Sequence, residues 1–362
     1  MADSQPTIRP PFDDLDADIV LRSVDDVDFH VYKVILAKAS PVFRDMFTLP
    51  DTKAGTMKEG LPVVHLQESA DTLETLLRIC YPVERPALVA LADDEQIDEA
   101  SLALKAAKKY DILPAIHTLT QQLEAILDST SAEYHALHIY AVAYLLEMPS
   151  LVRKAARRVI GAKRWLTTSA NPSAAPPPDN LHAGMPPGYH ILTGEAVYTL
   201  AQYRYACLEA AIEALANALA ESLTPKESRY HPRVIRGAYQ ECWYECKSCA
   251  TGEPLQEVTR AMERRGMGWE TTTRRPTLWW SIYMWRVRED LKVAVSEHVA
   301  TNSTLIAAIL KEAEKCSTCG PRALKGLGPF SLGLEDRIKK AIDKVQLKLP
   351  AFVDPVLSPG SG

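Results

Sequence analysis

The chain has 362 residues, of which 47% are hydrophobic and 24% charged, and this composition is typical of a globular protein with about two or three domains. Its formal net charge of −5 provides no basic excess for binding nucleic acid or an anionic membrane surface, so neither is an expected partner. The N-terminus is polar and no apolar run approaches the ~18 residues of a membrane span, so we expect an intracellular protein of the cytoplasm, the nucleus or both.

The first predicted elements are strands followed by helices. Residues 18–22 and 29–32 are rich in β-branched and aromatic side chains and flank a turn, so they predict a β-hairpin. Ser40 can cap a helix that begins at the next residue, a proline. Residues 62–66 predict a third strand, and Asp71 is the expected N-cap of a further helix. This order favours an α+β fold.

Several stretches of this block carry a resemblance to a known family. They are Asp18-Ile19-Val20-Leu21, Phe29-His30-Val31-Tyr32-Lys33, Val64-His65-Leu66, Leu76-Leu77-Arg78-Ile79-Cys80-Tyr81-Pro82 and Ala106-Ala107-Lys108-Lys109-Tyr110-Asp111. Together they resemble the signature of the BTB/POZ domain over residues 15–127, and a match spread over so many elements is specific. Tyr32 departs from the pattern, because the family often has histidine there. The resemblance implies an N-terminal BTB/POZ fold that binds other proteins.

The resemblance also implies candidate partner-binding residues. In the family, a charged pair at the positions of Asp18 and Lys33 lies near a groove in which dimeric members bind partner peptides. The alternative is a solvated charge or a local salt bridge. Met57, Lys58 and Glu59 resemble the hydrophobic-x-Glu motif with which BTB adaptors grip a cullin scaffold. Because so short a pattern arises often in surface loops, an ordinary loop is the alternative for these residues.

Residues 128–165 repeat the helical pattern at the end of the first block. Residues 106–116 line up with residues 141–151, with a proline at the same place in both, so a second helical hairpin is predicted. Many BTB adaptors carry such an extension as a BACK or 3-box segment. His135 and His138 are three residues apart on it, and we expect exposed polar surface rather than a metal pair.

The remaining segments are predicted from composition and periodicity. We expect a flexible N-terminus over residues 1–14, a proline-rich linker over residues 166–190 and a disordered tail over residues 351–362. Residues 191–350 predict an α-helical C-terminal domain, with a long alanine-rich helix from Thr193 to about Ser222, a second helix from about Thr277, and tryptophans in its core.

Two C-x-x-C pairs in the C-terminal domain suggest a metal site. The first pair is Cys246 and Cys249, and the second pair is Cys316 and Cys319. Four thiolates complete a tetrahedron around one zinc ion, which would be structural because no coordination position stays open. One alternative is that Cys242, Cys246 and Cys249 line the buried face of one helix as reduced thiols, and another is redox chemistry of the cysteines. The region around the two pairs resembles the C-terminal part of BTB proteins expanded in basidiomycete fungi.

The leading hypothesis for function is a protein–protein interaction module. It would be an adaptor that recruits a partner or substrate, and in the narrower version it delivers that substrate to a cullin ubiquitin ligase. A nuclear regulator of transcription or chromatin and an enzyme of unknown type are the alternatives, although the sequence has no recognisable DNA-binding element and no P-loop, nucleophile elbow or H-E-x-x-H motif. Only 17 residues precede Asp18, and we therefore expect no strand-swapped homodimer.

Overall fold

The computed structural model describes residues 7–48, 57–58, 60–84, 94–129, 132–163, 188–223, 246, 248–249 and 276–350. The chain divides into two compact units. Unit 1 comprises residues 1–155 and 186–191, and unit 2 comprises residues 156–185 and 192–362. The division falls upstream of the proline-rich stretch in which the linker was expected. The tail at 351–362 and the linker up to residue 187 lie outside the described residues.

Unit 1 contains a five-stranded mixed sheet. Its strands are β1 (Thr7–Asp13), β2 (Ile19–Arg22), β3 (Val27–Val31), β4 (Met57–Lys58) and β5 (Leu61–His65), in the spatial order β1-β3-β2-β5-β4. β2 and β3 pair antiparallel, which confirms the predicted hairpin. β5 pairs parallel with β2 and antiparallel with β4. The α+β class is therefore confirmed for this part of the chain.

β1 occupies part of the segment that we expected to be a flexible N-terminus. Residues 7–13 instead pair parallel with β3 at the edge of the sheet. Phe12 anchors the strand, because its ring is 2% exposed and packs against the rings of Phe29 and Tyr81 at centroid distances of 6.0 and 5.3 Å. Arg9 adds ion pairs to the carboxylates of Asp71 and Glu74, which lie on the helix of residues 70–80. Prolines are compatible with an edge strand, since its outer N–H groups need no partner.

Seven helices are described between β3 and the proline-rich stretch: two lie between β3 and β4, and five follow β5. They are α1 (Lys33–Ala39), α2 (Pro41–Thr48), α3 (Ala70–Cys80), α4 (Asp94–Lys109), α5 (Leu113–Asp128), α6 (Ala132–Leu145) and α7 (Pro149–Gly161), and the division between the units falls inside α7. The Ser40 hydroxyl accepts the N–H of Phe43 at 2.9 Å, which confirms the predicted cap of α2. Ser69, and not Asp71, caps α3, because its hydroxyl accepts the N–H of Thr72.

The helical repeat is present, but its register differs from the predicted one by one residue. The turns after α4 and α6 each contain a residue with positive φ, Asp111 at 50° and Glu147 at 52°. The N–H of the following residue then bonds a carbonyl of the preceding helix at 2.8 and 2.9 Å. Pro149 is thereby equivalent to Leu113 and not to Pro114. The side chain of Lys108 donates to the carbonyl of Leu146, which ties the first turn to the second.

His135 and His138 were expected on exposed surface, and the structure contradicts this. They are 6% and 1% exposed, and Nε2 of His138 lies 2.9 Å from Oδ1 of Asp98. The turn Tyr189–Ile191 packs on α6 and helps to cover them. Gly188 begins this turn with a φ of 74°, and a Cβ there would approach the Cα of His138 to 2.6 Å. The close approach of the two backbones therefore requires glycine.

The described part of unit 2 is helical apart from its turns. Its main helices are α8 (Gly194–Leu223), α9 (Leu278–Val293), α10 (Ser303–Glu314) and α11 (Cys319–Asp343). α8 and α9 begin where the sequence predicted. Trp279, Trp280 and Tyr283 are buried in the core, and Phe330 of α11 packs edge-on against two of these rings. Trp285 is 46% exposed, so the prediction of a tryptophan core holds for only part of the set. No helix in the described ranges is both long and apolar enough to cross a membrane.

Candidate functional site

Two of the three predicted cullin-binding residues, Met57 and Lys58, form the strand β4 at an edge of the sheet. Met57 is 60% exposed on the two-residue strand β4. The ammonium group of Lys58 lies 2.7 Å from a carboxylate oxygen of Asp28, whose side chain is fully buried. Lys58 is thus committed to an internal ion pair. Glu59 lies outside the described residues. Of the two described members of the motif, Met57 is the one that is accessible to a partner.

Asp28 is the centre of a charged cluster that the sequence reasoning missed. Arg22 donates to both of its carboxylate oxygens, at 2.6 and 2.9 Å, and Lys58 donates to one of them as well. Burial raises the pKa of Asp28, but the bonds from Arg22 and Lys58 outweigh burial and lower it. The carboxylate is therefore ionised at neutral pH and joins β2, β3 and β4.

Asp18 and Lys33 are brought together, although not as a charged pair. Oδ1 of Asp18 accepts the backbone N–H of Lys33 at 2.7 Å. Lys33 is the first residue of α1, and the N-cap residue Tyr32 makes no side-chain capping bond of its own. Asp18, the residue before β2, therefore caps α1 from a distant position in the sequence. Among the described residues, no ion pair joins the two side chains.

Tyr32, the residue that departs from the family pattern, makes further contacts at the start of α1. Its phenol donates to the Asp14 carboxylate, and its backbone N–H donates to the Tyr81 hydroxyl at 2.7 Å. The bond to Asp14 raises the pKa of Tyr32 to about 12. The same bond lowers the pKa of Asp14. Tyr32 thus has a local structural role, in contacts that were not predicted.

The two C-x-x-C pairs of unit 2 meet in space. Sγ of Cys246 lies 3.5 Å from Sγ of Cys316, Sγ of Cys249 lies 3.1 Å from Sγ of Cys319, and all four sulfurs are within 4.8 Å of one another. We call these residues the four-cysteine cluster. The predicted metal-site residues are therefore adjacent, although the two pairs are far apart in sequence.

Local backbone bonds position both pairs. The carbonyl of Cys249 accepts the N–H of Leu278 at 2.9 Å, which fixes the first pair at the start of α9. The carbonyl of Cys316 accepts the N–H groups of Cys319 and Gly320, at 3.1 and 3.0 Å, so the second pair forms the turn that opens α11. Residues 248–249 lie in a turn and not in a helix, which contradicts the alternative of thiols along one helix face; Cys242 lies outside the described residues.

The cluster fits a tetrahedral metal ion. Four sulfurs at ~2.3 Å from zinc are separated from one another by ~3.8 Å, and the sulfur distances of 3.1 to 4.8 Å surround this value. An all-sulfur tetrahedral donor set suits zinc or iron and not magnesium or calcium, which prefer oxygen.

The thiols of the four-cysteine cluster also differ in pKa, and a bound cation would affect their ionisation. Burial raises the pKa of Cys246, but hydrogen bonds from Cys249, the backbone and Cys316 outweigh burial and lower it to about 6. Burial together with the neighbouring sulfurs raises the pKa of Cys249, and burial raises that of Cys319 to about 11. Cys246 thus ionises more readily than an ordinary thiol, whereas Cys249 and Cys319 resist ionisation mainly because they are removed from water. A bound cation would stabilise all four thiolates.

Comparison with known proteins assigns a family to the N-terminal part. The family model of the BTB/POZ domain matches residues 12–127, which include β2 to β5 and α1 to α5 with the last residues of β1. No curated protein matches the chain. The match begins at Phe12, the residue that anchors β1 in the core, and ends at the last turn of α5. Residues 12–127 of the chain therefore form a BTB/POZ domain.

Proposed function

We propose that the protein is an adaptor that recruits another protein through its BTB/POZ domain. The observation that carries this proposal is the domain itself, a protein-interaction module whose sheet and helices account for most of unit 1. Within it, Met57 is a large apolar side chain on an edge strand and is 60% exposed. Apolar anchors of this kind supply much of the binding energy at protein interfaces.

The narrower proposal is that Met57 and Glu59 contact a cullin scaffold. Met57 would fill an apolar pocket of the partner, and Glu59 would accept a charge-assisted hydrogen bond beside it. Lys58 supports the contact indirectly, because its bond to Asp28 holds β4 against the rest of the domain. The strand β4 is thereby fixed at Lys58, while the apolar side chain of Met57 stays accessible.

Affinity purification of the full chain, followed by mass spectrometry, tests this proposal. The double substitution Met57→Ala and Glu59→Ala should abolish cullin co-purification and leave the melting temperature unchanged. Leu102→Ala is the matched control, because Leu102 is similarly exposed, at 54%, on α4 of the same domain. Retained cullin binding by the double variant would contradict the cullin contact, and recovery of transcription or chromatin proteins in its place would favour a nuclear regulator.

We also propose that the four-cysteine cluster binds one structural zinc ion. Four thiolates leave no open coordination position, so the ion would join the start of α9 to the start of α11 and would have no catalytic role. Elemental analysis of the purified chain should find about one zinc per chain. Cobalt should give the intense thiolate-to-metal absorption of a tetrahedral sulfur site, and Cys316→Ser should remove most of it. Zinc far below this ratio, with no cobalt signal, would overturn the proposal.

A further inference from the structure

The four cysteines differ in their access to solvent. Cys246 and Cys319 are buried, at 4% and 2% exposure, whereas Cys249 and Cys316 are half-buried. A cleft of about 300 Å³ opens beside the cluster, and both half-buried cysteines line it together with Ser248 and other polar residues. A small polar molecule that enters this cleft meets the sulfurs of Cys249 and Cys316 first.

The short sulfur distances join one accessible cysteine to one buried cysteine in each case. Cys316 lies 3.5 Å from Cys246, and Cys249 lies 3.1 Å from Cys319. Both short distances run from the first pair to the second. A disulfide has a sulfur–sulfur bond of ~2.05 Å, so each bond requires the sulfurs to approach by only ~1 to 1.5 Å. The arrangement favours disulfides between the pairs over disulfides within them.

We propose that the four-cysteine cluster is a redox switch, in which hydrogen peroxide entering the cleft replaces the bound metal with the disulfides Cys246–Cys316 and Cys249–Cys319. This inference rests on the proposed zinc site for its metal-release step. The disulfides would preserve the connection between the start of α9 and the start of α11 that the metal provides in the reduced state. Oxidation would therefore change the metal content of unit 2 and keep it folded.

The chemistry balances with peroxide as the two-electron oxidant. The thiolate of Cys316 attacks one peroxide oxygen, the O–O bond breaks, and the departing hydroxide takes a proton to become water. The resulting sulfenic acid is attacked by the thiolate of Cys246, the S–S bond forms, and a second hydroxide leaves as water. Two thiolates and two protons thus reduce one peroxide to two waters. Cys249 and Cys319 react in the same way with a second peroxide.

The test uses the reduced full chain, with its zinc content measured first. Hydrogen peroxide is added at one and two equivalents per chain, released zinc is followed with a chromogenic chelator, and disulfides are mapped in the unreduced protein. Trypsin cuts after Lys247, so Cys246 and Cys249 fall on different peptides, whereas Cys316 and Cys319 share one. Disulfides between the pairs therefore join three peptides, and disulfides within the pairs join only two.

We expect zinc release that follows peroxide, three joined peptides, a retained helical signal, and recovery on addition of dithiothreitol and zinc. Ser317→Trp, which narrows the cleft, should slow the release severalfold while the reduced variant keeps its zinc. Cys80→Ser, at a half-buried cysteine in unit 1, is the control and should leave the release unchanged.

The outcomes separate this inference from the proposed zinc site. If the reduced protein contains no zinc, both the zinc site and the release of zinc by peroxide are contradicted. The peptide map would then show only which cysteines form disulfides. Zinc-loaded protein that keeps its metal in peroxide, or that forms disulfides only within the pairs, would overturn the redox switch and leave the zinc site standing.

Discussion

Asp28 shows how much one residue of this fold depends on its partners. A buried carboxylate is costly unless it is paired, and here Arg22 and Lys58 provide three short bonds. The two cations come from β2, the neighbour of β3, and from β4 at the far edge of the sheet, so one side chain joins its own strand to both of them. Loss of the charge would leave two partly buried cations without their shared partner.

We expect Asp28→Asn to destabilise unit 1 by ~3 kcal/mol at neutral pH, in the range for breaking a buried pair. Because the folded state lowers the pKa of Asp28, its contribution is complete above the unfolded value of ~3.9 and is lost as the pH falls through the folded value. Urea unfolding at pH 7 and at about pH 3 measures the difference. Asp45→Asn, at a carboxylate with 75% exposure, is the control and should have little effect. An equal cost of Asp28→Asn at both pH values would contradict this assignment.

At the scale of elements, the two helical hairpins of unit 1 end their first helices in the same left-handed turn. Asp111 occupies this conformation in the first hairpin and Glu147 in the second. Aspartate tolerates a positive φ better than glutamate, because its short polar side chain can bond locally. The second turn therefore stores more backbone strain than the first.

Glu147→Gly should raise the stability of unit 1 by up to ~1 kcal/mol, since glycine adopts this φ without a steric penalty. Asp111→Gly should gain less. Glu147→Ala keeps the Cβ and serves as the control, for which we expect no gain. Thermal melts of the three variants rank them, and equal melting temperatures for the glycine and alanine variants would show that the turn is not strained.

At the scale of the whole molecule, the two units should respond differently to metal removal. Structural zinc contributes ~10 to 16 kcal/mol, whereas a whole domain is stable by only ~5 to 15 kcal/mol. A strong chelator should therefore abolish the melting transition of unit 2 and leave that of unit 1. Cys316→Ser should melt in the same way without chelator. Calorimetry of the full chain measures both transitions, and two unchanged transitions would argue against a stabilising metal.

The oligomeric state also belongs to this scale, and we predict no strand-swapped homodimer. β1 pairs with β3 of its own chain, Phe12 is buried against that chain, and Arg9 contacts its α3. The pairing groups and the apolar anchor of this strand are thus satisfied within one chain, and this arrangement favours the unswapped form. Light scattering of the full chain and of a chain without residues 1–16 provides the measurement. A tight dimer that dissociates on this deletion would refute the prediction.

The sequence by itself determined the features that depend on neighbours along the chain. The hairpin of β2 and β3, the Ser40 cap and the start of α8 at Thr193 follow from turn chemistry, capping and periodicity within a few residues. The BTB/POZ domain was recognisable because its signature is spread over many such local elements. The spacing of the cysteines in each C-x-x-C pair likewise identifies them as candidate metal ligands.

Only the tertiary structure decided which distant residues meet. Asp18, the residue before β2, caps α1, and Lys58 pairs with the buried Asp28. Phe12 packs in the core and so anchors a proline-containing segment as a strand. The meeting of Cys246 with Cys316 follows the same rule. Periodicity reports which face of an element is buried and not which element covers it, because the partner is chosen by packing of the whole core. Contacts between residues far apart in sequence therefore leave no local pattern from which they can be predicted.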